Sequence, residues 1–268
     1  MNRRHVFLLM LVSASFLAVL PARAQDSVSV SSCPGQPKIP VVFKADCSHV
    51  KDPSGKQLCR AFLENQACKV FPAYRKITGI NLEERCPVMQ YNLYEKENWP
   101  YPNLKGEGGL AGKCEITLLS DFSVKVQSRI GPYDLHELLH EYQALIGPFI
   151  NEHPMFDPSQ AEAAREIGDP QGAEAYVNRM RRTLDEISKS SASSTVPSEK
   201  DCARAQIYIE ESLYLQDSRV VYAFYHKLGP VPTNKTRPEL AARENRMLNV
   251  VSWDKAKDYL LSHGCWPF

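Results

Sequence analysis

The chain has 268 residues and a formal net charge of +1. Near-neutrality excludes a bulk electrostatic attraction to nucleic acid or anionic membrane, and the length suits one large domain or two small ones with ample core. All eight cysteines lie beyond residue 32, an even count that reads as a disulfide framework once the chain is exported.

Residues 1–24 read as a secretory signal peptide. Arg3 and Arg4 give a basic start, Val6 to Leu20 an apolar stretch, and Ala22-Arg23-Ala24 a cleavage box after Pro21. Removing this leader takes the formal charge from +1 to −2, since it carries Arg3, Arg4 and Arg23 and no acid. No later stretch is apolar for long enough to span a bilayer. The expected location is secreted or periplasmic, with no membrane association after cleavage.

Residues 25–56 are rich in Ser, Pro and Gly and read as an extended lead-in stapled by cysteines. Residues 56–69 predict a short helix carrying Cys59 and Cys68, and Val88 to Tyr94 a strand. A long aromatic loop follows, containing Asn98-Trp99-Pro100-Tyr101-Pro102 and Gly106 to Gly109. Cys114 to Leu119 predicts a second strand. Six cysteines fall between residues 33 and 114, and the simplest pairing of the other two joins Cys202 to Cys265.

A helix is expected from about Gly131-Pro132 to Gly147-Pro148, with Asp134 as its N-cap or a first-turn acid. At about 100° per residue, Leu135, Leu138, Leu139, Tyr142, Leu145 and Ile146 share one buried arc. His136, His140 and Gln143 run along its edge, with Glu137 about a quarter turn beyond. Further helices are expected at about 157–168 and 169–187, each opened by Asp-Pro, and at 201–227, rich in tyrosine. A Ser-rich loop at 188–200 and a Pro-rich turn at 229–238 separate them, and a last helical segment ends at Cys265.

The chemistry concentrates in His136-Glu137-Leu138-Leu139-His140. Histidines four apart on a helix project from neighbouring turns of one face and can share a metal ion. The intervening glutamate can serve as general base for a metal-activated water. A catalytic zinc site needs a third protein ligand. The metzincin spacing fails, because Gln143 stands at its glycine position and Ile146 at its final histidine. Glu162 is the better candidate, 22 residues beyond His140 in an alanine-rich helix that can approach the motif helix closely. His153, Asp157 and Glu166 are the alternatives.

At these residues the chain resembles the gluzincins, the thermolysin-like branch of the zincin metallopeptidases, and especially short exported bacterial members. The resemblance covers roughly residues 114–168. It implies zinc on His136, His140 and Glu162, Glu137 as base, and the strand around Glu115 to Leu119 as the edge along which a peptide lies. Glu166 stands where many members have an aspartate, and could hold the second N–H of a ligating histidine.

The expected fold is α+β: a zincin-like core with a mostly helical C-terminal part over residues 114–268, and a disulfide-rich N-terminal part over 25–113 packed on it. The expected function is zinc-dependent hydrolysis of a peptide or protein substrate. His226 is the C-terminal candidate for a catalytic donor, although a plain helix terminus with a cationic last turn is the better reading of it. His49 and His263 read as surface residues. No serine sits in a nucleophile-elbow setting. The alternative function is a secreted, disulfide-rich binding protein with a structural or non-catalytic metal site, which the aromatic segment at 90–102 also suits.

Overall fold

The computed structural model describes residues 27–50, 53–101, 109–119, 134–146, 155–189 and 199–228. The expected signal peptide, the Ser-rich loop, the Pro-rich turn, His153, Cys265 and the final helical segment lie outside these residues, apart from the ends of that loop.

Three disulfides staple the N-terminal part: Cys33–Cys68, Cys47–Cys59 and Cys86–Cys114. Cys202 is also disulfide-bonded. Such a framework fits an oxidising compartment. No helix among the described residues is long and apolar enough to cross a membrane.

A five-stranded mixed sheet forms the centre. Its strands are β1 (Ser27–Val30), β2 (Val42–Asp46), β3 (Val88–Tyr94), β4 (Gly109–Gly112) and β5 (Glu115–Leu119), in the order β1-β2-β3-β5-β4. The pairs β2–β3 and β3–β5 are parallel, whereas the outer strands β1 and β4 run antiparallel to their neighbours. The stretch read as a lead-in therefore supplies two strands. The signal for β2 was the alternation of Ile39, Val41, Phe43 and Ala45, all buried. The expected boundary at residues 113/114 falls in the turn between β4 and β5, so strands on both sides of it share one sheet.

Between β2 and β3 the chain passes through α1 (Pro53–Asn65), a π-helical turn at Gln66–Val70, and α2 (Phe71–Thr78). The helical run is longer than expected because Pro72 falls in the first turn of α2, where its missing N–H costs nothing. Gly79, at φ +67°, closes α2 with a left-handed cap.

One face of the sheet is packed. Met89, Tyr91 and Leu93 of β3, Ile116 and Leu118 of β5 and Phe43 of β2 are buried in a single core with Leu63, Phe71 and Tyr74 of the helical crossover. The alternate positions Val88, Gln90, Asn92 and Tyr94 are exposed or half-buried.

The C-terminal part is helical: α3 (Glu137–Ile146), α4 (Phe156–Glu166), α5 (Pro170–Lys189), α6 (Glu199–Gln216) and α7 (Val220–Leu228). The helix expected over 201–227 is two helices. Asp217 breaks it, its carboxylate accepting the Arg219 N–H at 3.0 Å and its carbonyl the Val220 N–H at 3.1 Å. Helix α3 packs against β4 and α2, and α4 packs against α5 with further contacts to α2, α6 and α7.

Candidate metal centre

Leu138, Leu139 and Tyr142 of α3 are fully buried, as the apolar arc requires, and lock the phase of the helix. Its N-terminus is fixed by Asp134, whose Oδ1 accepts the backbone N–H groups of His136 and Glu137, each at 3.0 Å. Asp134 is buried, and loss of water pushes its carboxyl up to about 6 against the opposing pull of those N–H groups. Gln66 pairs with the Asp134 backbone through its amide, and the Tyr74 hydroxyl donates to the Leu135 carbonyl. The π-helical turn and α2 thus anchor the segment that carries the motif.

His136, Glu137 and His140 come together. Their donor atoms lie within 4.8 Å of one another, and the imidazole centroids are 5.1 Å apart. His136 Nε2 is 3.8 Å from Glu137 Oε1. The group spans the protein boundary: His136 is exposed, His140 half-buried and Glu137 buried. The two imidazoles are donors that zinc accepts, and the Glu137 carboxylate lies where it could reach a water on such an ion, so these residues fit it.

Glu137 is buried because it lies beneath β4. A Cβ on Gly109 would overlap Glu137 Oε1 and meet its Cγ and Cδ at 2.7 Å. Only glycine leaves room for the carboxylate there. The sequence had placed Gly109 in a loop; its one signal was a glycine cluster just before a strand.

Phe156, the first residue of α4, packs its ring against both histidines, with centroids 4.4 Å from His136 and 5.1 Å from His140. This contact was not foreseen. Met155 holds the turn before it in a left-handed conformation (φ 51°), with its N–H donating to Glu210 Oε2 at 2.7 Å. Ser159 donates to the Met155 carbonyl and lies 3.0 Å from the Tyr225 hydroxyl, which also bonds Gln143. Burial is the main reason that Tyr225 is pushed up to about 12.

Glu162 is buried on α4 as expected but does not join the three motif residues. Its Oε1 accepts the Tyr214 hydroxyl at 2.9 Å and an Arg165 N–H. Glu166 does no supporting work for a histidine: it pairs with Lys76 at 2.7 Å and accepts the Tyr222 hydroxyl at 2.8 Å, tying α4 to α2 and α7. Asp157 forms a two-point pair with Arg179 of α5. His226 is likewise placed elsewhere. Its Nε2 faces the Lys76 carbonyl at 3.1 Å and its ring covers Gly79, so it docks α7 on the end of α2. The expected edge strand also shifts: β5 is paired on both sides, and among the described strands β4 is the outer one.

Cys86, Cys114 and Glu141 also cluster, but both sulfurs are spent in a disulfide and offer no thiolate to a metal. Glu141 instead caps the bridge, its Oε2 accepting the Cys114 N–H at 3.1 Å, and burial raises its pKa. No family model matches the chain, and neither a characterised protein nor a solved structure is found to be similar to it.

Proposed function

We propose that the protein is an exported zinc-dependent peptidase with a zincin-like core. The observation that carries this reading is the juxtaposition of His136, Glu137 and His140 beneath the sheet-edge glycine Gly109. His136 and His140 hold the metal; Glu162, the third ligand that the sequence suggests, would have to leave Tyr214 and Arg165 to join them. A zinc ion supplies the positive charge that makes water a nucleophile at neutral pH and polarises a carbonyl.

The remaining work falls to the chain. Glu137 takes one proton from the attacking water as its oxygen bonds to the scissile carbonyl carbon. The same carboxyl returns that proton to the amine as the C–N bond breaks. Among the described residues β4 has no strand on its outer side, and its backbone groups there could pair with an extended peptide, orienting its carbonyl towards the motif. Phe156 fixes the two rings against rotation.

Glu137→Gln tests the assignment. The variant is expected to retain its metal and lose peptidase activity by at least about 10²-fold. Full turnover in a metal-loaded Gln variant would remove Glu137 from the mechanism.

A further inference from the structure

Four aromatic rings line up where the chain leaves β2 and β3. His49 stacks on Tyr94 with centroids 4.3 Å apart and planes 17° from parallel. Trp99 then meets Tyr94 edge to face at 6.3 Å and 83°, and Tyr101 meets Trp99 at 5.6 Å and 74°. Tyr101 is 41% exposed and Trp99 half-buried. Asn98 donates to the His49 carbonyl at 3.3 Å and so ties the two loops together. Tyr94 and Trp99 belong to neither the metal group nor the core, and Tyr101 is among the exposed large apolar side chains.

The angles decide what such rings can hold. Parallel, coplanar rings make a flat platform for a sugar face. Rings that meet edge to face leave part of a ring face uncovered beside the contact, and an uncovered negative face suits a cation. Among the described residues of this sheet face, the charged side chains are two carboxylates and one lysine. Asp46 of β2, Asn92 and Tyr94 of β3 and Glu115 of β5 occupy the open face of the sheet, and Asn92 donates to Glu115 Oε1 at 2.5 Å. Burial, then Asp46, Tyr101 and Glu115 in turn, raise the Tyr94 hydroxyl, which places both carboxylates in its field. The basic residue on the same face of β2 is Lys44, one outward position further from Tyr94.

We propose that Tyr94, Trp99 and Tyr101, with Asp46 and Glu115, form a binding site for a cationic side chain of a polypeptide, arginine above all. A guanidinium stacks flat on one ring while its rim N–H groups reach carboxylates, a double match that an ammonium lacks. The site is separate from the metal group, and its test is independent of peptidase activity.

The test is titration of the oxidised protein with Nα-acetyl-arginine methylamide, following the Trp99 indole N–H by NMR and assigning it by its loss in Trp99→Phe. The neutral isostere Nα-acetyl-citrulline methylamide and methyl glucoside serve as comparison ligands. The expected result is a saturable shift with arginine, about tenfold weaker with citrulline and absent with the sugar. Trp99→Ala should weaken arginine binding about tenfold. The double variant Asp46→Asn, Glu115→Gln keeps the Ser48 and Asn92 hydrogen-bond acceptors, so it isolates the charge if Trp99→Ala does not fold. It should weaken binding severalfold and remove its salt dependence. Equal binding of citrulline, binding of the sugar, or no saturable shift would overturn the proposal.

Discussion

Gly109 and Glu137 show how much one side chain's position depends on the absence of another. A methyl group at Gly109 would overlap the Glu137 carboxyl rather than backbone, so the fold can accept alanine by pushing Glu137 aside. Gly109→Ala should therefore lower kcat/KM by about tenfold or more while the melting temperature hardly moves. Comparing the two values checks this, and a parallel loss of stability would mean that Gly109 matters to the sheet instead. The motif histidines, their helical phase and the Asp134 cap were legible in the sequence because local spacing fixes all three. The Gly109 contact was not, because it joins residues 28 apart through a strand too short to show a pattern. The partner of His226 was hidden for a similar reason: a lone histidine at a helix end gives no clue that a carbonyl at the end of α2 will face it.

At the scale of elements, α4 is the hinge of the account, since it carries Phe156, Glu162 and Glu166. Its first turn is held by α6 and α5 through a buried cluster, in which Glu210 accepts the Met155 N–H and Arg179 pairs with Asp157. Glu211 belongs to this cluster; burial, then Asp157 and Glu210, push its carboxyl up to about 8. A folded-state value above the unfolded one means that the native state binds the extra proton. The stability from this group is thus complete below about pH 4.5 and is lost as pH rises through about 8. Glu211→Gln should flatten that slope, raising the melting temperature at pH 8.5 but not at pH 4 in thermal unfolding followed across pH. The periodicity of α4 and α5 was readable to within a few residues. The ion pairs that choose which face of α4 meets α3 were not, because they join helices whose order in space a sequence does not state.

For the molecule as a whole, the disulfides and the sheet make one body of what composition divides in two. Cysteine clustering between residues 33 and 114 correctly announced a stapled N-terminal part, but not that this part supplies four of the five strands. Strands β1 and β2 hid in a stretch whose Ser, Pro and Gly content suggested loop. Cys86–Cys114 links the approach to β3 with the approach to β5 beside Glu141, and so holds the sheet against the motif helix. Replacing both cysteines by alanine should cost about 3 kcal/mol in urea unfolding, as expected for opening a loop of this length.

The central claim is that His136 and His140 hold a metal ion, and the direct test is zinc analysis of the oxidised protein purified without chelator. About one zinc per chain is predicted, lost in His140→Ala and retained in His226→Ala, whose ring docks α7 on α2. No zinc in the native protein even after reconstitution, or a zinc that survives His140→Ala, would contradict the account.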